Sequence, residues 1–225
     1  MGVVLLGGIG TGRRAATLVA PDFGGLVLSC DYPWRDPTTV STLRFIATLP
    51  AIRRDVLRTP EALRIAASYL LSLPEMDTFR LAAVGASLGV PPVSAWASRD
   101  RRVAVVALVM GGAGLQAVFE ANLGAEVRWP VLRRPVAWLL ARLLRPLDPA
   151  RTVGLIAPRP VLIIGAPHDE RVPRRSTELL YAAAREPKGL QWIGGRHMLP
   201  ADTVLLKHVT DSTFAWVTRH LASRR

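Results

Sequence analysis

Ser87 sits at the centre of Gly85-Ala86-Ser87-Leu88-Gly89, between an apolar run and a helical pattern. A strand that turns sharply into a helix holds the intervening serine in a strained backbone, with its hydroxyl standing above the strand end. Side chains two residues to either side of such a turn would collide, and Gly85 and Gly89 relieve that clash. Because Ser87 also opens the helix, free N–H groups and the helix dipole favour negative charge developing beside it. The backbone N–H of Leu88 then supplies half of an oxyanion hole. The chemistry this implies is nucleophilic attack on an acyl carbon.

A serine hydroxyl is a weak nucleophile and needs a base, which itself needs an orienting group. Two later segments offer them. The apolar run from Val161 to Gly165 leads into Ala166-Pro167-His168-Asp169-Glu170-Arg171-Val172-Pro173, where a carboxylate can orient an imidazole. Glu170 competes with Asp169, but the Asp-x-x-Val-Pro spacing selects Asp169. The other reading of Asp169 is a helix cap. Leu190-Gln191-Trp192-Ile193 then leads into Gly194-Gly195-Arg196-His197, placing a histidine in a glycine-rich loop before the final helix. His168 adjoins the acid and points elsewhere; His208 and His220 fall within the last helical pattern. Ser87, Asp169 and His197 therefore follow three different strands, in the order nucleophile, acid, base.

Short runs rich in Val, Leu and Ile alternate with longer helical patterns, which predicts a parallel sheet covered on both faces by helices. Strands are expected at 3–6, 26–30, 80–85, 103–110, 161–165 and 190–193. Helices are expected at 60–73, with Thr59 as N-cap and Pro60 at the first position, and at 87–98, 174–185 and 202–222. Residues 114–152 lie between two strands yet far exceed a normal crossover. They contain an apolar helix at 136–144, with Trp138 inside it, and read as a lid over the site in preference to a structural elaboration.

The chain has 225 residues, enough for one domain with a substantial core. Its formal charge of +12 comes almost wholly from arginine, since Lys188 and Lys207 are the only lysines. The arginines are scattered in pairs and are not interleaved with aromatics, which argues against a nucleic-acid surface. Cys30 is the only cysteine, so neither an intrachain disulfide nor a cysteine-based zinc cluster can form. The N-terminus lacks the basic leader of a signal peptide, and no segment reaches the ~20 apolar residues of a membrane span. A soluble cytoplasmic protein is expected.

These motifs make the chain similar to the α/β-hydrolase family, especially its small dienelactone-hydrolase-like and esterase members, over nearly its whole length. The resemblance implies an α/β-hydrolase fold with a mostly parallel sheet of about six strands. It also implies that Leu6-Gly7-Gly8-Ile9-Gly10 is the oxyanion loop, with Ile9 N–H as second donor and Gly8 beside it. Gly7 stands where that loop usually carries histidine. Measured against the family, the chain begins at the third strand. The missing strands would leave an apolar edge exposed near the N-terminus, through which a homodimer is expected. Asp31-Tyr32-Pro33-Trp34 follows the second strand on the catalytic side, so Tyr32 and Trp34 join Gly8 and Trp138 as pocket candidates; a packing role serves equally for the two loop aromatics.

The function expected is cleavage of a carboxylic ester or related acyl bond through an acyl-enzyme, without metal or organic cofactor. A small-molecule acyl substrate is the expected partner, with no nucleic acid and no stable membrane insertion. A thioesterase, a peptidase, a non-catalytic binding protein on the same fold and a peripheral membrane protein remain the alternatives.

Overall fold

The four inner apolar runs become strands because each is buried on both faces, so that neither parity of the alternation needs polar residues. The computed structural model describes residues 1–8, 11–19, 23–33, 42–124, 127 and 129–222, with the side chains of 42–49 left aside. Six strands form one all-parallel sheet: β1 (Gly2–Leu6), β2 (Leu26–Ser29), β3 (Leu81–Ala86), β4 (Val103–Val109), β5 (Val161–Gly165) and β6 (Lys188–Trp192). Val4, Leu6, Leu81, Leu108 and Ile163 point into one core layer, whereas Val3, Leu5, Val84, Val109 and Ile164 point into the other.

Helices close both layers. α1 (Arg14–Val19) and the terminal α8 (Thr203–Ala222) cover the second, where Phe23 packs on Phe214 at 4.7 Å between ring centroids. α2 (Thr42–Leu71), α3 (Val90–Ala97) and α7 (Arg174–Ala183) cover the first, around the buried Trp96. Truncating a buried Leu such as Leu108 to Ala would cost about 2–5 kcal/mol through lost transfer energy and the cavity left behind.

The strand order is β2-β1-β3-β4-β5-β6. The chain therefore steps outward from β1 to β2 and returns to the other side of β1, reversing direction between β1 and β3. A reversal of this kind opens a crevice beyond the carboxyl ends of the two strands, where ligands bind in open α/β sheets. The edge near the N-terminus is β2, whose four residues are only half-buried.

Three elements depart from expectation. α2 does not begin at Pro60 but runs through it and through Pro50, so Thr59 is not an N-cap. Its second half is held by tertiary packing, with Leu63, Ala67 and Leu70 spaced to face the core, and that burial overrides the local start signal. β6 starts at Lys188, before its apolar run, because a parallel register with β5 pairs Lys188 with Val161. Between β4 and β5 lie α4 (Leu115–Asn122), α5 (Pro130–Leu143) and the single-turn α6 (Pro149–Thr152). α5 starts six residues before the expected 136 and contains Pro135. Pro135 is exposed, so water can reach the carbonyl of Val131 that the missing N–H leaves free. The Asp148 carboxylate draws the two ends of this segment together, accepting from Gly114 N and Leu115 N at the start of α4 and from Ala150 N in α6. Among the described residues no helix is long and apolar enough to cross a membrane.

Candidate active site

The turn after β3 holds Ser87 at φ +53°, in the left-handed region that side chains seldom adopt. A short 3-10 turn, Ser87–Gly89, links it to α3. Both flanking glycines are required, though for different reasons. A Cβ on Gly85 would lie 2.8 Å from the Gly89 carbonyl oxygen; one on Gly89 would lie 2.1 Å from the carbonyl oxygen of Leu6, at the end of β1. Gly89 thus lets the elbow press against the neighbouring strand, which the motif alone does not reveal.

The loops after β5 and β6 bring two more groups to that point. Ser87 Oγ lies 2.9 Å from His197 Nε2, and His197 Nδ1 lies 2.8 Å from Asp169 Oδ2. The His197 and Asp169 side chains are 3% and 2% exposed, so their contact is shielded from bulk water. The second oxygen of Asp169 accepts from Arg171 N and Val172 N, both at 2.8 Å, fixing the carboxylate plane. With Asp169 accepting at Nδ1–H, His197 presents a bare Nε2 to the serine hydroxyl. That arrangement can take a proton from Ser87 while stabilising the resulting imidazolium.

Glu170 is not a second acid for the imidazole. Its carboxylate accepts the backbone N–H of His197 at 3.1 Å, with Arg196 Nε at 3.5 Å. The hydrogen bond from His197, with its own backbone N–H and Arg196, holds the Glu170 carboxyl below the usual glutamate range. On the other side of the same loop, Met198 N donates to Met110 Sδ at 3.2 Å. Met110 follows β4, is buried, and has φ +46°. His168 is exposed and takes no part.

The glycine loop after β1 passes over the nucleophile, since a Cβ on Gly8 would stand 3.9 Å from Ser87 Oγ. Two donors hold its carbonyls. The Tyr32 hydroxyl donates to Gly7 O, and Thr11 donates to Gly8 O through Oγ1 at 2.8 Å and its backbone N at 3.0 Å. Burial pushes the Tyr32 phenol far above its ordinary range, with the nearby Cys30 adding to the shift, so the hydroxyl stays a donor. In a trans peptide the N–H points opposite the carbonyl. Anchoring the Gly7 carbonyl therefore fixes the direction of the N–H at position 8. Ile9 and Trp34 themselves lie outside the described residues. Leu88 N–H sits in the first turn after the elbow, where helix geometry provides no intrahelical acceptor.

No family model matches the chain, and no curated protein matches it. Solved structures do. The esterase domain of a Rhodothermus marinus protein superposes with a TM-score of 0.65 at 18% identity, over 98% of this chain and 87% of that one. The α/β hydrolase GrgF from Penicillium sp. sh18 gives 0.64 at 17% identity, over 98% and 90%. A puromycin-hydrolyzing peptidase of Mycobacterium tuberculosis gives 0.71 at 19% identity, over 98% of this chain and 34% of that one. The chain has the α/β-hydrolase fold.

Above the elbow of this α/β-hydrolase fold is a cavity of about 570 Å3 reached by Ser87, Leu88, Gly8 and His197. Its walls are mainly aliphatic: Leu115, Val118 and Phe119 from α4, Leu144 and Leu147 after α5, Leu18 and Val19 from α1, and Leu206 from α8. Asn122 Nδ2 ties the end of α4 to the acid loop through Arg171 O at 2.8 Å. Tyr32 and Trp138 are not among the lining residues; Tyr32 braces the glycine loop from behind, and Trp138 points outward, 55% exposed. Thr59 does line the cavity, and its Oγ1 is buried with no hydrogen-bond partner among the described residues. Glu170, Thr11 and Met110 were not foreseen as parts of the site, nor were the individual α4 side chains within the 114–152 segment. The adjacency of Glu170 to the acid and the amphipathic pattern of α4 are visible in the sequence, but Met110 carries no local signal. Among the described residues no cluster of three or more His, Cys, Asp or Glu side chains could hold a metal ion.

Proposed function

We propose that this chain is a serine hydrolase that cleaves a carboxylic ester or related acyl bond through an acyl-enzyme. The observation that carries the reading is the unbroken relay from Ser87 Oγ to His197 Nε2 at 2.9 Å and from His197 Nδ1 to Asp169 at 2.8 Å. Ser87 Oγ attacks the carbonyl carbon as His197 Nε2 takes its proton. The imidazolium then protonates the departing alkoxide, leaving the acyl group on Ser87. Water attacks the acyl-enzyme with its proton passing to Nε2, and collapse returns that proton to Ser87 and releases the acid.

Leu88 N–H and the N–H of Ile9 are the two oxyanion donors in this reading, the second by resemblance to the family. The aliphatic cavity suits an uncharged acyl chain of moderate length, walled in part by α4 and the turn after α5. Peptide cleavage is the second reading, favoured by the fit to the puromycin-hydrolyzing peptidase.

A fluorophosphonate probe tests the reading. Labelling of the folded chain, an adduct on Ser87 by mass spectrometry and loss of labelling in Ser87→Ala are expected. Folded protein that takes no label would overturn it. Rates on p-nitrophenyl esters of graded length, matching thioesters and peptide amides then separate the acyl classes.

A further inference from the structure

We propose that the outer face of α5 docks on an anionic lipid surface. α5 buries Ala137 toward the body of the protein, and the apolar side chains of its opposite face stand exposed. Val131, Leu132, Trp138 and Leu139 recur at seven-residue spacing along this face, and Trp129 extends it beyond the helix start. Val131 is 77% exposed and Trp129 66%, values foreign to a face meant for water.

Charge selects the partner. The sequence from 127 to 147 contains five arginines and neither Asp nor Glu. Arg134 and Arg142 stand exposed on α5 itself, and neither forms a salt bridge among the described residues. Arg133 is spent internally, donating to Val127 O and Gly124 O to hold the turn before the helix.

An interface helix places Trp and Leu at the headgroup boundary while arginines meet lipid phosphates, and this face carries both chemistries side by side. Nucleic acid would leave Val131, Leu132 and Leu139 against water or phosphate. A second copy of a chain with charge +12 would bring two basic faces together. At 14 residues α5 spans only about 21 Å, too short to cross a bilayer, so it lies along the surface. The same segment continues into Leu144 and Leu147 on the cavity wall, so docking would hold the aliphatic cavity beside the lipid. The docking inference does not rest on the hydrolytic reading.

Sedimentation of the full chain with vesicles tests it, using phosphatidylcholine alone or mixed with phosphatidylglycerol at low and high salt. Binding to the mixed vesicles only, weakened by salt, is expected. Arg134→Gln with Arg142→Gln should weaken binding about 25-fold, at about fivefold per arginine near an anionic surface. Trp138→Ser with Leu139→Ser should weaken it at least as much. Both pairs are exposed and should leave the unfolding midpoint unchanged, which circular dichroism checks. Failure to bind the mixed vesicles would overturn the proposal. So would binding unaffected by both double variants, or equal binding to neutral vesicles. Sedimentation velocity showing a dimer abolished by Trp138→Ser would assign the face to a second copy instead.

Discussion

Replacing Asp169 by Asn tests the relay more sharply than deleting it. Asp169 accepts two backbone N–H groups on one oxygen and the His197 ring on the other. An asparagine must turn its carbonyl oxygen toward Arg171 N and Val172 N, since its NH2 would face two donors there. The NH2 is then aimed at His197 Nδ1, which must become an acceptor, and the ring proton moves to Nε2. A protonated Nε2 cannot receive the proton of Ser87. The expected loss is roughly 10^4-fold in kcat, or about 5.5 kcal/mol of transition-state stabilisation, with little change in KM. Stability should barely move, because the amide keeps both backbone donors satisfied. Asp169→Ala strands them and should also cost about 1–3 kcal/mol in urea unfolding. The assay is hydrolysis of a p-nitrophenyl ester beside the rate of fluorophosphonate labelling, with Glu170→Gln as neighbour control. If Asp169→Asn kept more than about a tenth of the wild-type kcat while Ser87→Ala was inert, the tautomer argument would be refuted.

Four further outcomes are expected. Gly89→Ala places a methyl carbon 2.1 Å from the Leu6 carbonyl oxygen, so the elbow must move; a loss of about 1–3 kcal/mol in thermal unfolding and slowed labelling should coincide. Tyr32→Phe frees the Gly7 carbonyl and should lower kcat about tenfold with KM unchanged, less than the 10^2–10^3 of a direct oxyanion donor; an unchanged kcat would detach Tyr32 from the loop. Thr59→Val removes a buried hydroxyl without a partner among the described residues and should stabilise the chain by about 1 kcal/mol in urea unfolding. Asp100 accepts from Trp96 Nε1 and from Arg102. Burial alone would raise its pKa, but those bonds outweigh it and hold the carboxyl below the usual aspartate range. Because the folded-state pKa is depressed, its stabilisation is present above the unfolded value and lost as pH falls through the folded one. Unfolding curves of the wild type and Asp100→Asn should therefore differ steadily above about pH 5 and converge below about pH 4.

The sheet was legible because both of its faces are covered. Such strands are continuously apolar, and all six runs stand out between helical patterns. The relay was legible because the glycines around Ser87 and the strand-end loops of Asp169 and His197 carry local signatures. The start of α2 was not. Pro60 with Thr59 before it reads as a helix beginning, and only the packing of Leu63, Ala67 and Leu70 against the sheet shows that the helix passes through. Trp138 was misplaced for a related reason: an apolar helix reveals that it has two faces but not which one turns inward. The bracing of the base loop by Glu170 and Met110 joins residues 27 and 88 positions from their partners, and no local pattern encodes such pairs.

The side chains that meet at the elbow and the cavity walls have different roots. Ser87, Asp169 and His197 hang from strand ends that cannot shift without disturbing a buried sheet. Leu18, Phe119 and Leu206 project into the cavity from helices around the sheet. A lineage can therefore exchange the upholstery of this cavity, residue by residue, while Ser87, Asp169 and His197 stay fixed. On the hydrolytic reading, a change of acyl preference would require no redesign of the sheet.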